Sequence, residues 1–302
     1  GTSMDGIDAS LIQTDGFMVY DYILNCSIDY PVDIKVKLKE ASEQFHEKNI
    51  SWADIHKLKR SLSDLNLSAI NEILEKNTDR SLKVDLIGYH GQTIYHSPLN
   101  KISIQLGDPK YLSNMTNIPV IFNFRICDIL NGGQGAPLTP IYHAARFSKT
   151  FQGPIAVVNI GGISNITYID RECVIAFDTG PGNSLLDSWI MQHFSQPFDS
   201  NGDWASGGKV HKDLLENLLS EKYFLEKGPK STGKELFNME WLDTKLQKLG
   251  ENIPKQNVQS TLSELTAQSI CMAISDFNAH EIYICGGGAH NTDLLDRLRK
   301  HS

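Results

Sequence analysis

Apolar and polar positions along this chain mark out short buried strands that end in glycine-rich turns. The clearest case runs from Ile155 to Phe194. An apolar run from Ile155 to Ile160 predicts a strand and breaks at Gly161-Gly162 into the polar segment Ser164-Asn165-Ile166-Thr167. A second run, Cys173 to Phe177, brings Asp178 to its end, and Thr179-Gly180-Pro181-Gly182-Asn183 follows at once. A helix is predicted next, with Leu185, Leu186, Trp189 and Ile190 on one face and Asn183 or Ser184 in place to cap its first N–H groups. A carboxylate at the end of a buried strand, between two glycine-rich turns and beside a helix N-terminus, is poorly explained by packing alone. It points to a phosphate-handling site.

Ahead of that stretch, Gly1-Thr2-Ser3-Met4-Asp5-Gly6 is a small polar turn, Ile7 to Gln13 reads as a strand, and Asp15-Gly16 offers a hairpin turn into Phe17 to Tyr20. Hydroxyls and glycine N–H groups at such a tip can wrap phosphate oxygens, and Asp5 can hold a metal ion directly or through water; the same residues also suit a plain surface turn. Helices are predicted over Pro31 to Lys48 and Ser51 to Asn77. The second carries Ser51 and Asp54 in capping-box spacing and a stripe of Trp52, Ile55, Leu58, Leu62, Leu65, Ala69 and Ile73 that reads as core. Val84 to Ile87 predicts a strand running into the loop Gly88-Tyr89-His90-Gly91-Gln92-Thr93. His90 and His96 lack zinc spacing, whereas polar groups at a strand end suit a ligand. Further strands are expected over Ser103 to Leu106 and Val120 to Phe124, the latter ending at Arg125 and Asp128. Asn131-Gly132-Gly133-Gln134-Gly135-Ala136-Pro137 follows. The coincidence of a strand end and a glycine loop favours a ligand role for Arg125, Asp128 and Gln134 over a solvated linker.

Beyond Phe198 the pattern is loops and helices, with a helix over Lys212 to Leu219. Gly228-Pro229-Lys230-Ser231-Thr232-Gly233-Lys234-Glu235 nearly fits the P-loop pattern, but Glu235 replaces the hydroxyl that should bind Mg²⁺ and no strand leads in, so it is not a Walker motif. Thr261 and Glu264 are spaced as a capping box for a helix through about Phe277. A strand from Ile282 to Cys285 leads into Gly286-Gly287-Gly288-Ala289-His290-Asn291, with Thr292 capping a last helix. Such a unit lets backbone approach a nucleotide closely. Three glycine-rich strand ends, without a dinucleotide fingerprint or a P-loop, form the functional signal of the chain.

Composition narrows the classes. The 302 residues suffice for two domains, and with 40% hydrophobic and 21% charged residues each half can bury a core. A net charge of −8, without a basic stripe, argues against a nucleic-acid surface and for a small-molecule partner. The five cysteines are scattered and lack a C-x-x-C pair, which fits reduced, mostly buried thiols in the cytoplasm. No apolar run has the length of a membrane span.

Taken together, Gly-Thr-Ser-Met-Asp-Gly-Ile-Asp at 1–8, Gly-Tyr-His-Gly-Gln-Thr at 88–93, Gly-Gly-Gln-Gly-Ala-Pro-Leu at 132–138, Phe-Asp-Thr-Gly-Pro-Gly-Asn at 177–183 and Gly-Pro-Lys-Ser-Thr-Gly at 228–233 resemble the anhydro-N-acetylmuramic acid kinase family, within the sugar kinase, heat-shock chaperone and actin superfamily. The resemblance implies an α/β fold of two ribonuclease-H-like domains, residues 1–130 and 131–302, with an ATP cleft between them. It implies ATP contacts from Gly1, Thr2, Ser3, Met4, Asp5, Gly6, Ile7 and Asp8, from Asn159, Gly161, Gly162 and Asn165, and from Gly286, Gly287, Gly288 and Asn291. Asp178 is the implied catalytic base, while His90, Gln92, Thr93, Arg125, Asp128 and Gln134 are placed on the sugar side and Mg²⁺ near Asp5. The implied reaction is ATP-dependent phosphorylation of O6 of 1,6-anhydro-N-acetylmuramic acid as water opens the anhydro bridge, in cytoplasmic cell-wall recycling, by a homodimer. Two other readings stay open: a kinase of the superfamily for another sugar, and a non-catalytic ATP-binding module. The first turn lacks its leading strand, and the family continues past the adenosine segment into a helix with a substrate-side glutamate, so a chain trimmed at both ends is expected.

Overall fold

The computed structural model describes residues 4–47, 49–78, 82–147, 153–171, 173–233 and 236–301. The chain divides into two compact units, Gly1–Leu138 and Thr139–Ser302. Both mix helices and strands, in keeping with the α/β class expected from the sequence.

In the first unit, β1 (Gly6–Thr14) and β2 (Val19–Asp29) form an antiparallel hairpin turned at Asp15-Gly16. Asp15 makes that turn: its Oδ1 accepts from the N–H groups of Phe17 and Met18 at 2.9 and 2.8 Å, and Gly16 takes φ +89°. Helix α1 (Val32–Glu47) packs against α2 (Trp52–Lys76), which lies on the hairpin, and Ile7, Tyr30, Ile34, Leu38, Leu58, Leu62 and Ile73 share one core. Trp52 departs from the predicted stripe: it is 62% exposed, its edge against Phe45. The expected capping box closes on itself, since the Ser51 hydroxyl donates to Asp54 at 2.7 Å and makes no cap to the helix backbone. The unit continues through β3 (Ile87–Gly88), β4 (Gln92–Ser97), β5 (Ile102–Leu106), α3 (Pro109–Thr116), β6 (Val120–Ile121) and α4 (Phe124–Leu130). β3 pairs parallel with β6 and β4 antiparallel with β5.

Several boundaries here differ from the sequence reading. The strand placed at Val84 to Ile87 pairs only at Ile87 and Gly88, and Gln92 and Thr93 belong to buried β4 instead of a loop. The strand expected to run through Phe124 stops at Ile121, because Asn123 adopts φ +65° and turns the chain into α4. Arg125 and Asp128 therefore sit three residues apart on a helix, not at a strand end.

The second unit holds α5 (Thr139–Phe147), β7 (Ile155–Ile160), β8 (Ile163–Asp170), β9 (Cys173–Pro181), α6 (Ser184–Phe194), α7 (Asp203–Ser206), α8 (Lys212–Leu219), α9 (Lys222–Leu225), α10 (Met239–Leu249), α11 (Lys255–Ser275), β10 (Glu281–Cys285) and α12 (Thr292–His301). Its sheet has the order β10-β7-β8-β9: an antiparallel meander β7-β8-β9 with β10 joining β7 in parallel. That is the strand plan of a ribonuclease-H-like half. One face packs Ala156, Val158, Ile160, Ile166 and Phe177 against α11 and α12, while Ile155, Val157 and Ile169 face the other way with Phe147 of α5. A third cluster, including Leu186, Trp189, Leu214, Phe224, Phe237, Leu242 and Leu262, gathers the helices around α11.

The polar segment Ser164 to Thr167 proves to be part of β8. Its buried hydroxyls are satisfied inside the sheet, Ser164 by Thr179 at 2.5 Å and Thr167 by the His143 ring at 3.0 Å. β9 likewise runs on to Pro181, so Asp178 lies within the strand instead of at its end. α11 begins at Lys255, ahead of the predicted cap; Thr261 is inside it and returns its hydroxyl to the Asn257 carbonyl at 2.6 Å. Asn291, not Thr292, caps α12, its Oδ1 accepting from Leu294 N at 3.0 Å. The cysteines are free, but Cys127 and Cys173 are exposed, and only Cys26 is fully buried.

Candidate active site

Strand pairing builds the site in the second unit. Asn159 pairs with Asn165 across β7 and β8, and Asn165 with Asp178 across β8 and β9, giving a polar row on the face turned away from α11. The bulge between Ser164 and Asn165 sets this alignment. β9 is the edge of the sheet, and the segment from Gly228 to Thr232 closes it as a strap. Asp178 N donates to Lys230 O at 3.0 Å, Thr232 N donates to Asp178 Oδ2 at 3.0 Å, and the Tyr223 hydroxyl donates to Asp178 O at 2.6 Å. Burial, followed by the charge of Asp178, raises the Tyr223 pKa, so the phenol keeps its proton for that bond. Lys230 has no phosphate role of Walker type: its ammonium donates to the carbonyls of Tyr223 and Glu226 at 2.6 and 2.8 Å. Gly228 lets the strap lie on β9, since a Cβ there would stand 2.7 Å from the Phe177 ring.

The three glycine-rich elements meet at the end of β7. The carbonyls of Gly161 and Gly162 accept from Gly182 N, Asn183 N and Ser184 N at 2.8 to 3.1 Å, so the turn itself caps α6. The cap expected from Asn183 or Ser184 is not made: Asn183 donates its amide to Ile160 O at 3.2 Å, and Ser184 Oγ is buried without a partner. Gly286, at φ +80°, packs so closely that a Cβ would stand 2.5 Å from Asn159 Oδ1 and 2.7 Å from Ile160 O. Gly288 is barred from a side chain by Ile160, while a Cβ at Gly287 would meet only Asn183 Nδ2, at 3.6 Å. The triple glycine thus serves internal packing at two positions and leaves the middle one open. Asn291 spends its Oδ1 on capping α12. Asn165 Oδ1 on β8 and Thr232 Oγ1 on the strap, on the two sides of Asp178, are buried without hydrogen-bond partners. A cavity of about 250 Å³, lined by Phe177, Thr179, Phe224, Lys230, Ser269 and Met272, lies behind β9, on the side opposite the Asp178 carboxylate.

In the first unit, Gly1, Thr2 and Ser3 lie outside the described residues. Of the hairpin start, Met4 has φ +57° and Asp5 receives Gly6 N at 3.0 Å, while Ile7 is core and Asp8 takes the Ser27 hydroxyl at 2.5 Å. Tyr30 ties this hairpin to the predicted sugar side: its N–H donates to Asp5 O at 2.9 Å and its hydroxyl to Gln92 Oε1 at 3.3 Å. Burial and then the Asp5 charge push its pKa up to about 12. Thr93 is buried beside Gln92 and accepts from Gln105 at 3.4 Å. Arg125, Asp128 and His90 form one cluster around Gly135. Gly135 donates its N–H to Asp128 Oδ2 at 2.6 Å and offers its carbonyl to Arg125 Nη1 at 2.7 Å, while Arg125 Nε donates to His90 Nε2 at 2.9 Å. Gln134 is exposed.

His90 is fixed as the neutral Nδ1–H tautomer, because Nε2 accepts from Arg125 and Nδ1 donates to Gly91 O at 2.6 Å. Burial first, with the Arg125 charge in addition, lowers its pKa from 6.5 to about 4. The unfolded chain takes up a proton near 6.5 and the folded chain only near 4, so the contribution is fully present above about pH 6.5 and is lost as pH falls towards 4. Denaturant midpoints between pH 7 and 4.5 will fall more steeply for the wild type than for His90→Asn; parallel curves would remove His90 from the effect.

The sequence missed Thr232, Tyr223 and Lys230. The only signal was the Gly228–Gly233 motif itself, which reads as a loop once the P-loop is rejected.

Comparison with known proteins sets this α/β chain among the carbohydrate kinases and narrows the class further. Residues 1–301 match the profile of the anhydro-N-acetylmuramic acid kinase family. The chain is 42% identical over 303 residues to the anhydro-N-acetylmuramic acid kinase of Shewanella frigidimarina, covering 99% of this chain and 80% of that one. It is 39% identical over 313 residues to that of Sulfurimonas denitrificans, covering 99% and 82%. The chain belongs to the anhydro-N-acetylmuramic acid kinase family. Among solved structures, a ROK family glucokinase from Streptomyces griseus, in complex with glucose and AMPPNP, aligns with a TM-score of 0.41 at 11% identity, covering 99% of this chain and 85% of that one.

Proposed function

We propose that this protein phosphorylates O6 of 1,6-anhydro-N-acetylmuramic acid with ATP while water opens the anhydro bridge, giving N-acetylmuramic acid 6-phosphate and ADP in peptidoglycan recycling. The observation that carries the reading is the family match over residues 1–301. In this reading Asp178 takes a proton from the attacking water, the water oxygen bonds to C1, and the C1–O6 electron pair passes to O6, which attacks the γ-phosphorus as the bond to the ADP oxygen breaks. The strap supports that role, since Thr232 N and the two backbone bonds of Asp178 fix where the carboxylate sits. His90, Gln92, Thr93, Arg125, Asp128 and Gln134 are assigned to the sugar. Arg125 and Asp128 act there chiefly by shaping the loop at Gly135.

ATP is assigned to the glycine elements at 161–162 and 286–288 with Asn159 and Asn165, and to the start of the first hairpin. The open flank of Gly287 and the unpartnered Asn165 Oδ1 fit such a ligand. Mg²⁺ arriving with the nucleotide would neutralise phosphate charge. Asp5 is the residue assigned to it; among the described residues no three His, Cys, Asp or Glu side chains converge. A cytoplasmic homodimer completes the reading. Among the described residues no helix is long and apolar enough to cross a membrane.

Turnover in ¹⁸O-labelled water tests the reaction. The expected result is label at C1 of a 6-phosphorylated product, one ADP formed for each. Phosphorylation of another sugar in place of this one would move the assignment to a different carbohydrate, and nucleotide binding with no transfer to any sugar would leave a non-catalytic module.

A further inference from the structure

We propose that Thr232 is the second holder of the attacking water, its hydroxyl accepting the hydrogen that Asp178 does not take. This rests on the reading of Asp178 as the base. To attack C1, the water must aim a lone pair at carbon, which it does when both its hydrogens are held by acceptors on the protein side. A single carboxylate oxygen holds one of them and leaves the molecule free to rotate about that bond. A second acceptor within reach of the same carboxylate removes the rotation.

Thr232 has the properties such a group needs. Its own N–H donates to Asp178 Oδ2 at 3.0 Å, so its side chain cannot lie far from the carboxylate. Its Oγ1 is buried and has no hydrogen-bond partner. A buried hydroxyl left unsatisfied is destabilising, and a bound ligand that donates to it removes that cost. The strap that carries it is tied down at Lys230, two residues earlier, by Asp178 N to Lys230 O at 3.0 Å and by the Lys230 ammonium on the carbonyls of Tyr223 and Glu226. The backbone that carries the hydroxyl is therefore held beside the base before any ligand arrives.

In the step itself, the water oxygen forms its bond to C1 as one hydrogen passes to Asp178. The other hydrogen stays on the new C1 hydroxyl, directed at Thr232 Oγ1, and the C1–O6 pair leaves on O6. Thr232 gives and takes no proton, so its effect is on orientation alone.

Thr232→Val keeps the shape and the backbone N–H and removes only the hydroxyl, while Thr232→Ser keeps the hydroxyl. The expected result is a fall in kcat of roughly 10–100-fold for the Val variant with the KM for sugar and for ATP changed less than about threefold, and near-normal turnover for the Ser variant. Combined with Asp178→Asn, the Val change should add little further loss, because the two groups serve one water. Thr232→Ala gives the same comparison should the Val variant fold poorly. Equal losses in the Val, Ala and Ser variants, or a Val loss that multiplies fully with that of Asp178→Asn, would overturn the assignment to Thr232 while leaving the base in place. Normal turnover in Asp178→Asn would instead remove the base, and this inference with it.

Discussion

Asp178→Asn lowers turnover by roughly 10²–10⁴-fold, the share expected of a general base, and leaves nucleotide affinity and the folded structure as they were. The structure explains why the two effects separate. Two of the contacts that hold Asp178 use its backbone, N to Lys230 O of the strap and O to the Tyr223 hydroxyl of α9, and these survive any side-chain change. The third, Thr232 N to Oδ2 at 3.0 Å, asks only for an acceptor, which the Asn amide oxygen supplies. What disappears is the ability to receive a proton. The glycine elements assigned to ATP pack on Asn159, Ile160 and Asn183 and do not rest on the carboxylate. Steady-state kinetics with the anhydro sugar, set beside nucleotide binding measured calorimetrically, would show kcat collapsing at unchanged affinity. Turnover within a few-fold of the wild type would take Asp178 out of the mechanism.

Arg297→Ala destabilises the second unit by about 3–5 kcal/mol. Arg297 is 9% exposed and joins α12 to α11: Nη1 donates to Glu264 at 3.0 Å, Nε to Asp293 at 2.8 Å and Nη2 to Ser260 at 2.9 Å. Ser263 adds a bond to Asp293, and Gln268 and His301 add theirs to Glu264, so the group is fully connected. Burial pushes the Glu264 pKa up, but the hydrogen bonds from Gln268, His301 and Arg297 outweigh it and hold the carboxyl below its ordinary value. Removing the guanidinium takes from two buried carboxylates the charge they share, leaving Asp293 with Ser263 and Glu264 with Gln268 and His301. Urea denaturation followed by tryptophan fluorescence would measure the loss. Arg299→Ala is the control: its pair with Asp296 is 2.7 Å long, but the side chains are 72% and 64% exposed, and such surface pairs contribute about 0–1 kcal/mol. Equal losses in the two variants would show that the buried group contributes no more than a surface pair.

How much of this could be read from residue order depends on where burial and polarity part company. Apolar runs gave up their strands readily: Ile155 to Ile160 and Ser103 to Leu106 lie within elements of the predicted kind, and the helix over Lys212 to Leu219 matches to the residue. β8 was hidden because Ser164 and Thr167 are buried polar residues whose hydroxyls find partners only after Thr179 and His143 are folded against them. The start of α11 was hidden for a related reason. Gln259, Ser260, Thr261 and Ser263 are all buried, so no contrast between faces marks the helix. At the site, the carboxylate and the glycines were legible as chemistry. Thr232 was not, since its place beside Asp178 depends on the strap returning to the edge of β9 across more than fifty positions, which no local pattern encodes.

The parallel strand at the other edge of the second unit's sheet has a consequence for the order in which this protein takes shape. β7, β8 and β9 are joined by short turns and can pair as soon as they are made, whereas β10 meets β7 from far along the chain: Cys285 and Asn159, neighbours in the sheet, stand 126 positions apart. Closing so long a loop is slow compared with zipping a meander. Gly286 to Gly288 follow directly on β10, so the surface assigned to the nucleotide forms only once β10 has joined β7. On the ribosome, Asp178 and its neighbours on the meander emerge well before β10, and the nascent protein cannot assemble the surface assigned to the nucleotide until β10 has joined β7.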